Sequence, residues 1–345
     1  MIINCAVVKG AKMEHVEEAH MVVEGGRITQ VGDGFENGGV DMRNCVAVPG
    51  LINAHTHVGD SFAKEACEGL DVSSAVGREG RKWEIYEKAG KEEVLSAMKE
   101  TIDFMLNTGT ATFVDFREQG KAGVDMLKGA LKDSSLKSII LGRDIPIEYC
   151  DGLGLNTYHL DQIPRDRKGK IVAVHAGERR GEVEKALEAN PDIIVHFTTA
   201  TKEEIKKAAE KKIGVVVCPR ANAYLGVGTP KVRDMLDSNI TVALGTDNVM
   251  LNSPDMWREM EFAYKQGRLS GGLEPEEVLR MATVNAARIF KLDCGAIQNG
   301  ERADIVFIDM DSQNLGHSRN IVSALVNRTE PGNVKRVMID GVFAK

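Results

Sequence analysis

The sequence predicts a mixed α/β fold: a (β/α)8 TIM barrel over residues 48–296, with a small β-sandwich domain assembled from residues 1–47 and 297–345. Three observations predict it. Between Val46 and Gly295 short apolar strands alternate with amphipathic helical stretches, and about eight such units require a parallel sheet that closes on itself. Both ends are instead strand-rich, so they can pair with each other beside the barrel. The chain has 345 residues, 43% of them hydrophobic, which is enough for a barrel-sized core and a satellite.

Ile2–Lys9 is apolar-rich, and Met21–Val31 has the pattern of a hairpin around Gly25 and Gly26. Strands are then expected at 46–54, 110–116, 136–141, 170–175, 192–196, 213–218 and 240–245, with a weaker one near 147–153. Between them lie helices. In Glu92–Leu106 the residues Val94, Leu95, Met98, Ile102, Met105 and Leu106 recur at helical spacing. Thr201 and Glu204 form a capping box. Ser253 followed by Pro254 looks like an N-cap with proline in the first turn. After Gly295 the pattern returns to strands at 303–309, 321–326 and 334–341. The Lys/Glu-rich stretch 202–212 fits a solvated helix face.

The formal net charge is −7, and a mildly acidic surface lacks the clustered Lys and Arg that phosphate neutralisation needs, so no nucleic-acid partner is expected. Six scattered cysteines without a CxxC pair suit reduced thiols and a cytoplasmic protein. No basic leader and no run of about 18 apolar residues are present, so neither a signal peptide nor a membrane partner is expected. Self-association as a homo-oligomer is compatible with all of this.

The chemistry starts at PGLINAHTH (Pro49–His57). Side chains alternate along a strand, so Leu51, Asn53, His55 and His57 share a side, and two imidazoles meet at the strand's C-terminal end. That end of a barrel is where active sites sit. KIVAVHAGE (Lys170–Glu178) brings His175 to another strand end, with Glu178 on the loop beyond. DIIVHF ends in His196, and TVALGTDN ends near Asp247. Three imidazoles with a carboxylate leave a position for water on Zn²⁺ or a similar ion. Taken singly, His196 fits a core histidine, Asp247 a helix cap and Glu178 a solvated charge; the expectation rests on their joint placement. His15, His20, His159 and His317 lack that placement.

These motifs, in this order, together with ADIVFID (Ala303–Asp309), resemble the amidohydrolase superfamily over almost the whole chain. The nearest likeness is to the mononuclear-metal branch with guanine-, cytosine- and adenosine-type deaminases and triazine chlorohydrolases. The resemblance implies one divalent metal, zinc or ferrous iron, on His55, His57, His175 and Asp247. It implies that Glu178 is the acid that protonates a ring nitrogen, that His196 polarises or orients the substrate, and that Asp247 takes a proton from water. It also implies a small β domain built from both termini. Residues 146–159 contain no lysine, so the bridging group of the binuclear members is missing.

CPRAN (Cys218–Asn222) looks like a loop common in the deaminases and equally like an ordinary barrel turn; Arg220 or Asn222 would then meet the substrate. Arg117 and Arg143, at other strand ends, are candidates for a polar substrate arm or for ion pairs within the rim. Asp60 and Ser61 are placed to line the pocket or, the better fit, to cap a turn, and Trp83 to cover a planar base or, the better fit, to pack. His196 is followed by Phe197, Thr198 and Thr199 where relatives more often have cysteine. The expected activity is hydrolytic deamination of a nucleobase, nucleoside or related N-heterocycle with release of ammonia. The alternative on the same site is hydrolysis of a cyclic amide or imidazolone, or of a chloro-substituted ring. A barrel that binds ligand without turnover has no use for Glu178.

Overall fold

A computed structural model describes residues 1–345. The chain opens with β1 (Ile2–Lys9), β2 (Glu14–Glu24), β3 (Arg27–Asp33) and β4 (Val40–Pro49), then enters β5 (Leu51–His57) and β6 (Thr110–Arg117). It continues through β7 (Lys137–Gly142), β8 (Gly152–Asn156), β9 (Ile171–Ala176), β10 (Ile193–His196), β11 (Gly214–Val217), β12 (Val242–Leu244) and β13 (Asp247–Asn248). It closes with β14 (Ile305–Asp309), β15 (Val334–Ile339) and β16 (Val342–Phe343).

Two sheets result. β5 to β13 form a curled, nine-stranded sheet in the order β12-β11-β10-β9-β8-β7-β6-β5-β13. All of its pairings are parallel, and β13 runs beside β5, with Asp247 opposite Thr56 and Asn248 opposite His57. Most consecutive strands are joined by crossovers that carry α-helices; 3₁₀ turns connect β7 to β8 and β8 to β9, and only Gly245 and Thr246 separate β12 from β13. The strands from the two ends form a second sheet, ordered β16-β15-β14-β4-β1-β2-β3, antiparallel except between β1 and β4. The expected sandwich therefore takes the form of one continuous seven-stranded sheet. Ile3, Cys5, Met21, Ile28 and Phe307 form its own apolar cluster. Val46, Val48, Val306 and Ile308 join the main core with residues of the curled sheet such as Val172, Val215 and Leu244.

Four expectations change. The strand expected over 46–54 is two strands in two sheets, divided at Gly50. A Cβ there would stand 2.5 Å from Ala111 Cβ, so the chain crosses between sheets at the one residue type that fits. The strand expected over 321–326 is the helix Ile321–Arg328, started by Asn320, whose side chain accepts from the Ser323 N–H, and buried through Val322, Leu325 and Val326. The cap expected at Ser253 lies at Asp255, which accepts from the N–H groups of Trp257 and Arg258 and begins the helix Met256–Leu269. The weak strand at 147–153 becomes a 3₁₀ turn, Ile147–Tyr149, followed by β8. The helix Lys91–Asn107 and the Thr201/Glu204 capping box appear as expected. No helix is long and apolar enough to cross a membrane, and all six cysteines are unpaired and buried.

Candidate metal centre

His55 and His57 leave β5 at its C-terminal end, His175 leaves β9, and Asp247 opens β13. All four are at least nine-tenths buried. The last strand reaches this position through a break. β12 ends at Leu244, and Gly245 passes so close to His55 that a Cβ would lie 2.6 Å from His55 Cβ. Asn53 fastens the break: its Nδ2 donates to Thr246 Oγ1 at 2.7 Å, and its Oδ1 accepts from the Thr246 N–H at 3.0 Å. Asp247 then adopts φ +63° and His196 φ +74°. Left-handed backbone at non-glycine residues is costly and tends to cluster at functional sites.

The ring nitrogens converge. His175 Nε2 lies 3.2 Å from His55 Nε2 and 3.3 Å from His57 Nε2. Asp247 Oδ1 lies 3.1 Å from His55 Nε2 and 3.6 Å from His57 Nε2. His175 Nδ1 meets the Leu155 carbonyl at 3.1 Å. A carbonyl only accepts, so the proton sits on Nδ1 and the Nε2 lone pair faces the other two rings. His57 Nδ1 lies 3.1 Å from Glu118 Oε1, a close approach whose angle falls outside a well-formed hydrogen bond. It orders the ring in the same sense. Three converging Nε2 atoms cannot satisfy one another by hydrogen bonding, and His55 Nδ1 is buried without a partner. Nitrogen donors with one carboxylate oxygen are the donor set of a divalent ion, and this cluster fits one.

Electrostatics agree for two of the three rings; at His57 burial disfavours the charged form, but Glu118 outweighs it and raises the pKa. Burial lowers the His55 pKa to about 4 against the pull of Asp247, and burial together with the neighbouring rings holds His175 far below the usual histidine value. Neutral imidazoles are the ligating form. Burial pushes the Asp247 carboxyl up, but His55, His196 and His57 outweigh it and keep the group ionised. Glu178 goes the other way: burial, reinforced by Asp247, raises it against the pull of His196.

His196 stands beside His175 with ring centroids 5.5 Å apart. Its Nδ1 is held by Asn222 Oδ1 at 3.0 Å, and its Nε2 lies 3.8 Å from Glu178 Oε1. Phe116 packs edge-on against His55 at 4.3 Å. A cavity of about 50 Å³ is lined by His57, His175, Glu178, His196 and Asp247, and also by Lys82, Glu118, Arg143 and Asn156. Asn156, His175 and Glu178 also line a larger chamber of about 590 Å³.

The expected site residues thus come together, with exceptions among the arginines. Arg117 is fully buried beneath the site, Nη2 3.3 Å from Tyr86 Oη and 3.5 Å from Glu118 Oε2, and does not line the cavity. A Cβ on Gly59 would strike its guanidinium, so that glycine makes room for it. Arg220 donates from Nη1 to the Ser253 carbonyl at 3.1 Å and lies 3.6 Å from Glu259, also outside the cavity lining. Asn222 acts through His196. Asp60 is not a turn cap: it is buried, takes Tyr86 Oη at 2.8 Å and Asn248 Nδ2 at 2.5 Å, and pairs with Lys82 Nζ at 2.7 Å. Ser61 does serve the turn, through the Val58 carbonyl. Trp83 donates to the Gly77 carbonyl, a packing role. Lys82 and Asn156 were missed. Asn156 carried a signal, a polar residue at the end of the apolar strand Gly152–Asn156; Lys82 on the helix Arg81–Lys88 carried none.

Comparison with known proteins supports the same assignment. A sequence model described as "Amidohydrolase family" matches residues 157–344. A "putative aminohydrolase" of Methanothermobacter thermautotrophicus is 31% identical, over 99% of this chain and 98% of its own length. A 5-methylthioadenosine/S-adenosylhomocysteine deaminase of Moorella thermoacetica is 27% identical over 88% and 82% of the two chains. Among solved structures, an adenosine deaminase from Xanthomonas campestris with bound zinc superposes with a TM-score of 0.82 at 20% identity, covering 99% of this chain and 92% of that one. A model match over more than half the chain and a full-length relative above 30% identity establish the kinship: the protein belongs to the amidohydrolase family.

Proposed function

We propose that the protein is a metal-dependent hydrolytic deaminase of a nucleobase, nucleoside or related N-heterocycle. One divalent ion, zinc, is held by His55, His57, His175 and Asp247. The observation that carries the reading is the convergence of three Nε2 atoms and Asp247 Oδ1 beside a carboxyl, Glu178, whose pKa burial raises. The deaminase names of the Moorella and Xanthomonas relatives support it.

A divalent ion held by His55, His57, His175 and Asp247 would supply Lewis acidity and lower the pKa of a water at the site to about 7. Asp247, ionised, takes the proton released as that water attacks the amino-bearing ring carbon. Glu178, protonated, delivers its proton to the adjacent ring nitrogen; Asp247 passes the water's proton on to the amine as the carbon–nitrogen bond breaks and ammonia leaves, and the remaining hydroxyl proton returns to Glu178 as the carbonyl forms. His196, fixed by Asn222, turns Nε2 toward the reacting centre and orients the substrate there. The cavity's apolar members Val76, Leu225 and Leu251 limit water around the ring.

For the scaffold, β12 and β13 read together as one interrupted strand make eight parallel strands, a (β/α)8 barrel spanning residues 48–296. Residues 1–47 with 297–345 then form the companion β domain. Six unpaired cysteines support a cytoplasmic protein.

The test is ammonia release by zinc-loaded protein from a panel of aminopurines, aminopyrimidines and their nucleosides, 5-methylthioadenosine included. Turnover of cyclic amides or chlorinated rings on the same site, with no ammonia from any amine, would replace deamination with that second chemistry.

A further inference from the structure

We infer that the protein has a second ligand site, apart from the metal centre, and that it takes an oligophosphate. The site is a groove of about 780 Å³ lined by the helix Met256–Leu269, the helix Ile321–Arg328 and the loop 313–320 that leads into the latter. None of its lining residues lines the metal cavity or the chamber beside it. Its existence does not depend on the deaminase reading.

The charge of the groove runs against that of the molecule. The chain carries 51 Asp and Glu against 44 Lys and Arg, yet no acid lines the groove. Lys265, Arg319 and Arg328 do, together with His317. Lys265 is paired with Glu261, one turn back on its own helix. Arg319 and Arg328 are exposed, and neither has a carboxylate at salt-bridging distance. Arg319 also stands directly before Asn320, the cap of the helix Ile321–Arg328, whose first turn has no acid. A cation there opposes the helix dipole, so its placement is unfavourable until an anion shares the groove. A second basic cleft, at the N-terminal ends of β10 to β12, has a simpler cause. There Lys211 and Arg167 donate to the Leu187 and Asn190 carbonyls at the end of the helix Glu182–Ala189, where cations belong.

The lining sets the chemistry of the ligand. Only Tyr264 and Ala324 in it are hydrophobic, so it lacks the apolar centre on which a peptide partner anchors. Guanidinium groups match phosphate oxygens in the same bidentate way as carboxylates. The eight residues of the helix Ile321–Arg328 rise roughly 12 Å, which holds the stems of Arg319 and Arg328 farther apart than one phosphate spans. A chain of phosphates bridges them. The walls are built in advance: Asn314 Nδ2 donates to the Arg328 carbonyl at 2.7 Å and to Asn333 Oδ1 at 2.9 Å, tying the loop to the far end of the helix. Free polyphosphate and the tail of a nucleoside triphosphate share this chemistry.

The test is calorimetric titration of the zinc-loaded protein at about 0.15 M salt. The probes are inorganic phosphate, inorganic triphosphate, adenosine triphosphate and a hexaglutamate peptide, with zinc content checked afterwards because oligophosphates chelate metal. Triphosphate should bind at one site per chain, about tenfold or more tightly than phosphate. Arg319→Gln and Arg328→Gln should each weaken it about tenfold, the usual worth of a charged hydrogen bond. Lys132→Gln, which removes the same charge from another exposed position, should not. Without ligand, Arg319→Gln should melt no lower than wild type, since it relieves the positive end of the helix. Adenosine triphosphate binding more tightly than triphosphate assigns the site to nucleotides, and equal binding assigns it to free oligophosphate; either result upholds it. No triphosphate binding at about 1 mM, a level of very weak affinity, overturns the site. So does an equal loss in Lys132→Gln, which would mean diffuse surface charge. Binding indifferent to both arginines overturns it too, because the anion then sits elsewhere, the metal included. Hexaglutamate binding as tightly as triphosphate would make the groove a surface for acidic peptides instead.

Discussion

Glu178 separates chemistry from metal binding. Its carboxyl is 12% exposed, 3.8 Å from His196 Nε2, and burial raises its pKa. Glu178→Gln keeps size and hydrogen-bonding reach but cannot deliver a proton. Metal content should stay at one equivalent while ammonia release falls by about two to four orders of magnitude; near-native rates would leave the mechanism without its acid. Glu118 has a different task, since it touches His57, Lys82 and Arg117 but not the converging Nε2 atoms. Burial opposes its ionisation, yet Lys82 and His57 hold it far below the ordinary carboxylate range. Glu118→Gln leaves those cations without their shared acid, and destabilisation of about 3–5 kcal/mol is expected in urea unfolding. Zinc affinity should also drop about 10–100-fold through loss of the His57 partner. Unchanged zinc affinity in a folded variant would reduce Glu118 to a structural ion pair. The sequence made the proposed ligands visible because histidines at the ends of apolar strands stand out. It hid this network because a lysine on a mostly solvated helix looks like any other, and only the tertiary fold brings Lys82 to Asp60 and Glu118.

At the scale of elements, local pattern carried most strands and failed where capping or sheet exchange decided. Residues 321–326 are apolar enough for a strand, yet Asn320 in front of them is an N-cap signal, and packing against the core made the helix. The helix Met256–Leu269 holds a further consequence. Its Glu259 is wholly buried, accepts from the Arg220 N–H at 3.0 Å, and burial raises its pKa to about 8 despite Arg220. The unfolded chain releases this proton near pH 4.3. Between those values the folded state binds more protons than the unfolded one, so stability falls as pH rises through that window. Arg220 lies near solvent and is engaged with Ser253, which is why its charge does not overcome burial. Wild type should lose thermal stability from about pH 5 to pH 8 more steeply than Glu259→Gln, at up to about 1.4 kcal/mol per pH unit. Parallel curves for the two proteins would refute the buried proton.

For the whole molecule, the curled sheet holds its edge strand β13 by one of its shortest ladders. Most neighbouring strands pair over three to six residues, but β13 meets β5 through two, Asp247 with Thr56 and Asn248 with His57, as few as join β7 to β8. Asn53 adds its two bonds to Thr246. The proposed ligands sit on both sides of this ladder, His55 and His57 on β5 and Asp247 on β13, so a bound ion ties it across. The sequence could place those residues at strand ends, but not reveal that two of the strands adjoin, because the pairing of β5 with β13, nearly 200 residues apart, is a tertiary property. Removing the metal should therefore loosen one place more than others. A ligand held at about 1,000 times its dissociation constant stabilises by about 4 kcal/mol, and chelation forfeits that amount globally. Locally, amide hydrogens of Thr56, His57, Asp247 and Asn248 should exchange faster in the chelated protein, while those of β9 and β10, paired over four residues, change only with global stability. Mass-spectrometric hydrogen exchange on zinc-loaded and chelated samples reads both. Equal acceleration at the two places would mean that the ion is not what holds the β5–β13 line, and equal protection in both samples would remove the metal from the fold's stability altogether.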